Sequence, residues 1–558
     1  MKKSVPVLMS LVMAGGIGLT ACGPSGSGNS ASPGANNGSS SGSTGGKILR
    51  VNNIEEPGSL EPGKAQGTHD SWVLENTFEG LTRFDKNAKV VPGDAEKWDI
   101  SPDGKTYTFH LRDGLKWSNG DPVTAQDYEY AWKYALNPST ASEYAYQLYY
   151  IKGAEAYNTT KEKDPKKLQA LQDAVAVKAV DDKTLKVELN GPTPYFLELC
   201  NFYTYYPVDK KVQAANPKWA NDAKTFVSNG PFKLSEWNHK QDVKVVKNEN
   251  FWDKQSVKID GISFAMLQDE NTAWQMYRSG QLDLAYTLPT EVTGQMKNSN
   301  NPEFHNSPEF SAYFYRINTK KKPFDNVKVR KALAMAIDRK TIVDSVAQGG
   351  QTPLYGMVPP GYIEKSTGKD FNQVSGPYFK EDVTAAKQLL QQGLKEEGMT
   401  SMPKVTILYN TRDDHKKIAE AIQEMWRKNL GINATLENAD FQVVIDREHK
   451  LDYDVVRAGW ISDFVDPMTF EDMWTSVSTQ NDTGWTSPEY DKLITAAKNE
   501  LDNKKREDDL HKAEKLFMDN QPIIPIYAYT KPFMLKSNVT GVYVPVNRYP
   551  QLQYVEMK

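Results

Sequence analysis

Three textures of hydrophobic and polar positions follow one another along the chain. Behind Lys2 and Lys3, an almost unbroken apolar run extends from Val5 to Leu19. It is shorter than the roughly 20 apolar residues of a bilayer-spanning helix, so it predicts a cleaved export signal over residues 1–21. From Gly23 to Gly46 the residues are almost only Gly, Ser, Asn, Ala and Pro, without a charge. Such a segment buries too little apolar surface to offset its ordering entropy and predicts a flexible linker with a reach of roughly 25–30 Å. From Lys47 onward, periods of two and of about 3.6 alternate. Ile48–Val51, Tyr107–Leu111 and Leu185–Leu189 read as strands. Thr124 followed by Asp127 predicts a capped helix running to about Leu136. Asn326 predicts a cap for a helix through Val329, Leu333 and Ile337. Ile418, Ile422 and Met425 share the face of a third helix, ended by Gly431. Val405–Tyr409 precedes that helix as a strand. Ile523–Tyr527 is β-rich but holds Pro525, which predicts an edge or connecting strand. The body is therefore α/β in several lobes, with no internal repeat.

Composition narrows this picture. About 510 residues remain for the folded body, enough for about three domains. The formal charge is −4, and loss of Lys2 and Lys3 leaves −6, the wrong sign for a nucleic-acid binder. No later segment is apolar enough to cross a bilayer. Removal of the signal leaves Cys200 as the one thiol besides Cys22, and Cys200 reads as a small buried hydrophobe. The 28 Tyr and 12 Trp are abundant; their large rings with polar tips suit a concave site that accepts varied ligands.

Local catalytic motifs are missing. The seven histidines form no H-E-x-x-H, and no C-x-x-C occurs, so no metal or cofactor is expected. Gly58–Ala65 nearly matches a phosphate loop, but Ala65 lacks the hydroxyl that would hold magnesium. Gly38-Ser39-Ser40-Ser41-Gly42 matches G-x-S-x-G inside low-complexity sequence, without the strand and helix that a nucleophile elbow needs. The reading is of a protein that is not an enzyme.

Two resemblances add to this. Leu19-Thr20-Ala21-Cys22 resembles the bacterial lipobox, which implies cleavage before Cys22 and acylation of that cysteine, a lipid anchor on the outer face of the cell membrane. The body resembles the extracytoplasmic oligopeptide- and dipeptide-binding proteins of ABC importers, family 5 of the solute-binding proteins. The blocks that carry it are Phe78–Leu81 with Pro92–Trp98, Tyr107–Arg112, Lys116–Gly120 and Pro122–Asp127; then Asn229-Gly230-Pro231-Phe232; Phe324–Leu333; Tyr453–Asp463; and Pro525–Tyr527. The resemblance implies a two-lobed fold, like that of periplasmic binding proteins, with an extra inserted domain. The first lobe would comprise 48–78, 205–308 and 531–558, the extra domain 79–204 and the second lobe 309–530. The chain would cross between lobes near Pro308 and Lys531.

It also implies a ligand, a short peptide lying extended between the lobes and read through its backbone. The matching backbone segments are Gln66-Gly67-Thr68 and Gly459-Trp460-Ile461. Asp463 matches the family's partner for the peptide α-ammonium. Tyr144 matches a tyrosine near the ligand, Arg457 and His415 match carboxylate contacts, and Tyr529 matches another cleft residue. Structural alternatives stay open: Arg457 pairing with Asp454 or Asp452, and His415 as a plain first-turn helix residue. Glu448 stands where a close relative has a second arginine, Phe441 replaces a pocket tryptophan and Gln66 a glutamate. Preferred length and side chains are thus not carried over. The implied partners are peptides and the permease subunits of an importer, with the receptor acting as a monomer. A second reading of the same class is a receptor for another solute, such as nickel, a glycan or a peptide signal; Asp463 favours a ligand with an α-ammonium.

Overall fold

The computed structural model describes residues 46–85 and 89–558. The export signal, Cys22 and the linker up to residue 45 lie outside the described residues.

Two large sheets organise the body. The first has seven strands in the order Phe304–His305, Phe533–Leu535, Leu284–Tyr286, Ile48–Asn52, Gly261–Ala265, Asp242–Lys247 and Phe232–Asn238. Ile48–Asn52 runs parallel to both of its neighbours, and its Leu49 and Val51 are fully buried. Asp283 fixes this strand from the side, accepting from Arg50 Nε at 2.8 Å and Nη2 at 2.6 Å.

The second sheet has six strands, Thr352–Pro353, Ile523–Thr530, Pro308–Ile317, Val455–Ile461, Val405–Asn410 and Ala434–Ala439. Pro308–Ile317 is buried from Glu309 to its end, as expected of a central strand covered on both faces. Ile523–Thr530 is not an edge strand, because it pairs with Pro308–Ile317 on one side and Thr352–Pro353 on the other. The proline is tolerated for a local reason. The second neighbour reaches only Tyr527 and Ala528, and a register shift in the first pairing lies beside Pro525.

Four antiparallel strands, Ala95–Ile100, Thr106–Leu111, Thr184–Glu188 and Val177–Ala179, form a separate sheet. Helix Ala125–Leu136 packs beside it. Asp127 accepts from the Thr124 N–H at 2.9 Å at the start of this helix, and Asn326 caps Val327–Met335 through the Lys328 N–H at 2.9 Å. Helix Asp413–Leu430 ends at Gly431, whose φ of +71° is the left-handed conformation that suits glycine.

The chain passes between the two large sheets twice, from Phe304–His305 into Pro308–Ile317 and from Ile523–Thr530 into Phe533–Leu535. The crossings touch: Lys531 N–H donates to the Ser307 carbonyl at 2.8 Å. The Lys531 ammonium is buried and donates to the carbonyls of Pro545 at 2.5 Å and Arg548 at 2.7 Å. The paired crossings are thereby tied to the C-terminal segment.

Candidate functional site

Strand Val455–Ile461 supplies the floor of a cleft between the lobes. One edge pairs with Pro308–Ile317 along its whole length. The other meets Val405–Asn410 only at Val455 and Val456. From Arg457 to Ile461 that second edge has no strand partner among the described residues. An open edge is a template for another extended chain. Gly459 lies at its centre, and a Cβ there would stand 2.7 Å from the Tyr529 hydroxyl and 3.2 Å from Arg457 Nη2. Glycine keeps the strand low enough for a ligand backbone to approach.

Two adjoining cavities, of about 1000 and 1200 Å³ including space open to solvent, meet over this strand. Arg457, Gly459, Trp460, Ile461 and Thr68 line both. Gln66, Gly67, Tyr144 and Asp463 line the first, and His415 and Tyr529 the second. All eleven sequence-predicted cleft residues thus line one or both of these cavities.

The first cavity holds a buried carboxylate. Asp463 is 3% exposed and has no cation within ion-pair distance among the described residues. Burial pushes its carboxyl well above the usual range, against the pull of Arg548. Arg548 itself donates at 3.1 Å to the Asp463 main-chain carbonyl rather than to the carboxylate. Tyr144 forms the adjacent wall, its ring stacked on Trp460 at 6.1 Å and 16°.

The second cavity holds a half-buried guanidinium. Arg457 donates to Asn410 Oδ1 at 3.3 Å and to the Tyr529 hydroxyl, and lies over the Tyr313 ring at 4.7 Å. It pairs with neither acid considered from the sequence. Asp454 is taken by Lys321, and Asp452 lies 3.2 Å from Arg447. Its Nε is buried without a hydrogen-bond partner. His415 sits in the first turn of helix Asp413–Leu430 but is fully buried, with Nδ1 3.4 Å from the Tyr313 hydroxyl and Nε2 unpartnered. Burial, then Arg457 and Arg412, push this imidazole well below its ordinary range. It is held as a neutral imidazole rather than as a second cation.

The first-lobe backbone is less free than the resemblance implies. Asp70 accepts from the N–H of Gln66 at 3.0 Å and of Gly67 at 3.1 Å, and the Gly67 carbonyl accepts from Asp70 and Ser71 at 3.1 Å. Those two N–H groups are closed to a ligand. Glu448 is also committed, 2.9 Å from Arg316, which binds Asp482 at the same distance. Phe441 stands edge-on to His69 at 5.4 Å.

Two residues near the site carried no signal in the sequence. Arg412 lines the second cavity and joins Asp414, at 2.7 Å, to Glu270 of the first lobe, at 3.3 Å. In sequence it reads only as a residue before a helix. Gln147 donates its amide to the Asp463 carboxylate, across 316 positions that no local pattern connects. Among the described residues, no group of three or more His, Cys, Asp or Glu could hold a metal ion, and no helix is long and apolar enough to cross a membrane.

Two α/β lobes joined by paired crossings, with a buried carboxyl and a half-buried guanidinium that lack ion-pair partners bordering the cleft, define a ligand-binding receptor. Comparison gives the family: residues 89–482 match the bacterial extracellular solute-binding proteins, family 5, and the chain belongs to that family. It is similar to the oligopeptide-binding protein OppA of Bacillus subtilis, 46% identical over 94% of each chain. Among solved structures it resembles Haemophilus influenzae OppA in complex with the peptide RPPGFSPFR, at 33% identity and a TM-score of 0.85 over 92% of this chain and 99% of that one. The Escherichia coli murein tripeptide-binding protein MppA matches with a TM-score of 0.84 at 30% identity. MppA in its unliganded open form reaches only 0.59, at 31% identity; both MppA structures align over 92% of this chain and 99% of theirs. The lobes here are therefore arranged unlike that open form. Proteins of this family bind substrates for transport rather than transform them.

Proposed function

We propose that this chain is a lipid-anchored receptor that binds short peptides and delivers them to an ABC permease. The observation that carries the reading is the cleft itself. A buried carboxyl without an ion-pair partner and a half-buried guanidinium without a carboxylate partner border the same open strand edge. A zwitterionic peptide offers the ammonium, the carboxylate and the backbone hydrogen bonds that this arrangement lacks. An unpaired charge in a closed cleft is costly, and strand addition gives affinity through the main chain while pockets take the side chains.

In this reading Asp463 takes the α-ammonium and Tyr144 and Trp460 flank it. Gly459-Trp460-Ile461 pairs with the peptide backbone, facing Gln66-Gly67-Thr68. Arg457, aided by Tyr529 and His415, takes the carboxylate. The first lobe comprises 48–78, 205–308 and 531–558, the second 309–530, and 79–204 is the inserted domain. The receptor acts as a monomer and leaves its peptide intact. Cys22 carries the lipid; one acyl chain gives marginal attachment and two or more give stable anchoring.

Native mass spectrometry of the purified body tests the ligand class. A heterogeneous set of co-purifying peptides is expected, and a single non-peptide solute would overturn the reading. For the anchor, Cys22→Ala should move the protein from the membrane to the soluble fraction; unchanged retention contradicts it.

A further inference from the structure

The hydrogen bond that reaches the Asp463 carboxylate from outside its own loop comes from Gln147 Nε2. Gln147 does not border the cleft. It lies behind Asp463 on the short helix Ala145–Tyr150, directly after Tyr144, and is fully buried. Its main chain is fixed on both sides. The N–H donates to the Tyr144 carbonyl at 3.0 Å, and the carbonyl accepts from the Tyr205 hydroxyl at 2.5 Å. Its side-chain nitrogen also stands 3.2 Å from the Tyr146 hydroxyl. An ionised carboxylate only accepts hydrogen bonds, so the amide must turn its N–H toward it. That leaves Gln147 Oε1 buried without a partner, a cost tolerated for the contact on the other side.

The segment that carries Gln147 also packs on the loop after Asp463. Tyr195 stacks on Phe464 at 4.0 Å, Glu198 accepts from the Val465 N–H at 3.0 Å, and the Tyr150 hydroxyl donates to Asp472 at 2.8 Å. These contacts hold the Asp463 loop against residues 144–198.

We infer that Gln147 is a positioning residue for ligand recognition: its amide N–H aims the Asp463 carboxylate and favours its ionised form, so residues outside the cleft set how strongly a free ammonium is preferred over a blocked one. The inference rests on the reading of Asp463 as the ammonium partner. The other groups that act on this carboxylate are Arg548 of the C-terminal segment and the Thr469 hydroxyl, which favour the ionised form, and Asp472 of its own segment, which opposes it. The phenols of Tyr144, Tyr146 and Tyr203 also lie in its field. Substitution of Gln147 leaves all of these in place.

The test uses tetra-alanine and N-acetyl-tetra-alanine as probes, titrated calorimetrically from pH 5 to 7.5. Wild type should prefer the free form by 100-fold or more. Gln147→Leu should lose about 10- to 100-fold for the free form and little for the acetylated one, so the preference collapses. Its affinity should also fall at a higher pH than in wild type as the solution is acidified, because the unsupported carboxyl takes up a proton sooner. Gln147→Met, which keeps the length and volume of the side chain without its donor, should behave the same way and stands in if the leucine variant fails to fold. If wild type binds both probes equally, or neither, the ammonium reading itself fails. If wild type discriminates and the folded variants keep the same preference and the same acid limb, Gln147 is only a structural residue and the inference is overturned.

Discussion

The two ends of the cleft are built on opposite plans. At the Asp463 end one carboxyl lacks an ion-pair partner, while the other acids that line the cavity are committed: Glu448 and Asp482 to Arg316, and Glu75 to Arg548 at 3.8 Å. At the Arg457 end the cation sits among further polar groups: Asn410 and Tyr529, which accept from it, neutral His415 and, beyond them, Arg412 bound to Asp414 and Glu270. One end offers a single anchor of fixed position, the other a graded set. A peptide would be registered from its amino end, while its carboxyl end could stop at more than one place.

The largest effect should come from breaking the fixed end. Removing one partner of a buried ion pair costs about 3–5 kcal/mol, a loss of roughly 10²–10⁴ in affinity. Asp463→Asn should show it in calorimetry with a short peptide, while the melting temperature without ligand stays near that of wild type. A loss under tenfold would show that the two ends are not so different. The graded end should respond less. Hydrogen bonds to charged groups contribute about 1.5–3 kcal/mol, so Arg457→Met should lose roughly 10- to 150-fold. The loss should vary with peptide length, because Arg412 and His415 remain. A loss that is the same for every length would contradict the graded arrangement. His415→Gln should cost least, about 0.5–1.5 kcal/mol for a neutral donor, and only for those lengths that reach it.

Protons give a further contrast. Burial holds the free Asp463 carboxyl well above its ordinary range, and an ammonium binds its ionised form. Binding should therefore release a proton. Affinity should rise with pH until the peptide amine, with a pKa of about 8, begins to lose its own proton. Arg457 should contribute no such linkage. Calorimetry in buffers of different ionisation enthalpy reads the number of protons directly, and net uptake would contradict this assignment.

Much of the scaffold is legible in the sequence alone. Strands at Ile48, Tyr107 and Val405 and helices capped by Thr124 and Asn326 follow from periodicity and caps, because those signals are local. Pro525 misleads: a proline excludes a regular interior ladder, yet the neighbouring strand is two residues long and never reaches it. The cleft residues come from resemblance rather than from any pattern of spacing. The capture of Gln66 and Gly67 by Asp70, the Arg412–Glu270 pair between lobes and the reach of Gln147 to Asp463 stay hidden. Each joins groups through a fold that periodicity does not specify.

The most direct test is a crystal structure with a bound tetrapeptide. The account predicts the peptide ammonium at about 2.7–2.9 Å from the Asp463 carboxylate, with the backbone paired along Arg457–Ile461 as an added strand. A peptide bound in the reverse direction, or with its amino end in solvent and Asp463 still without a cation, would contradict it.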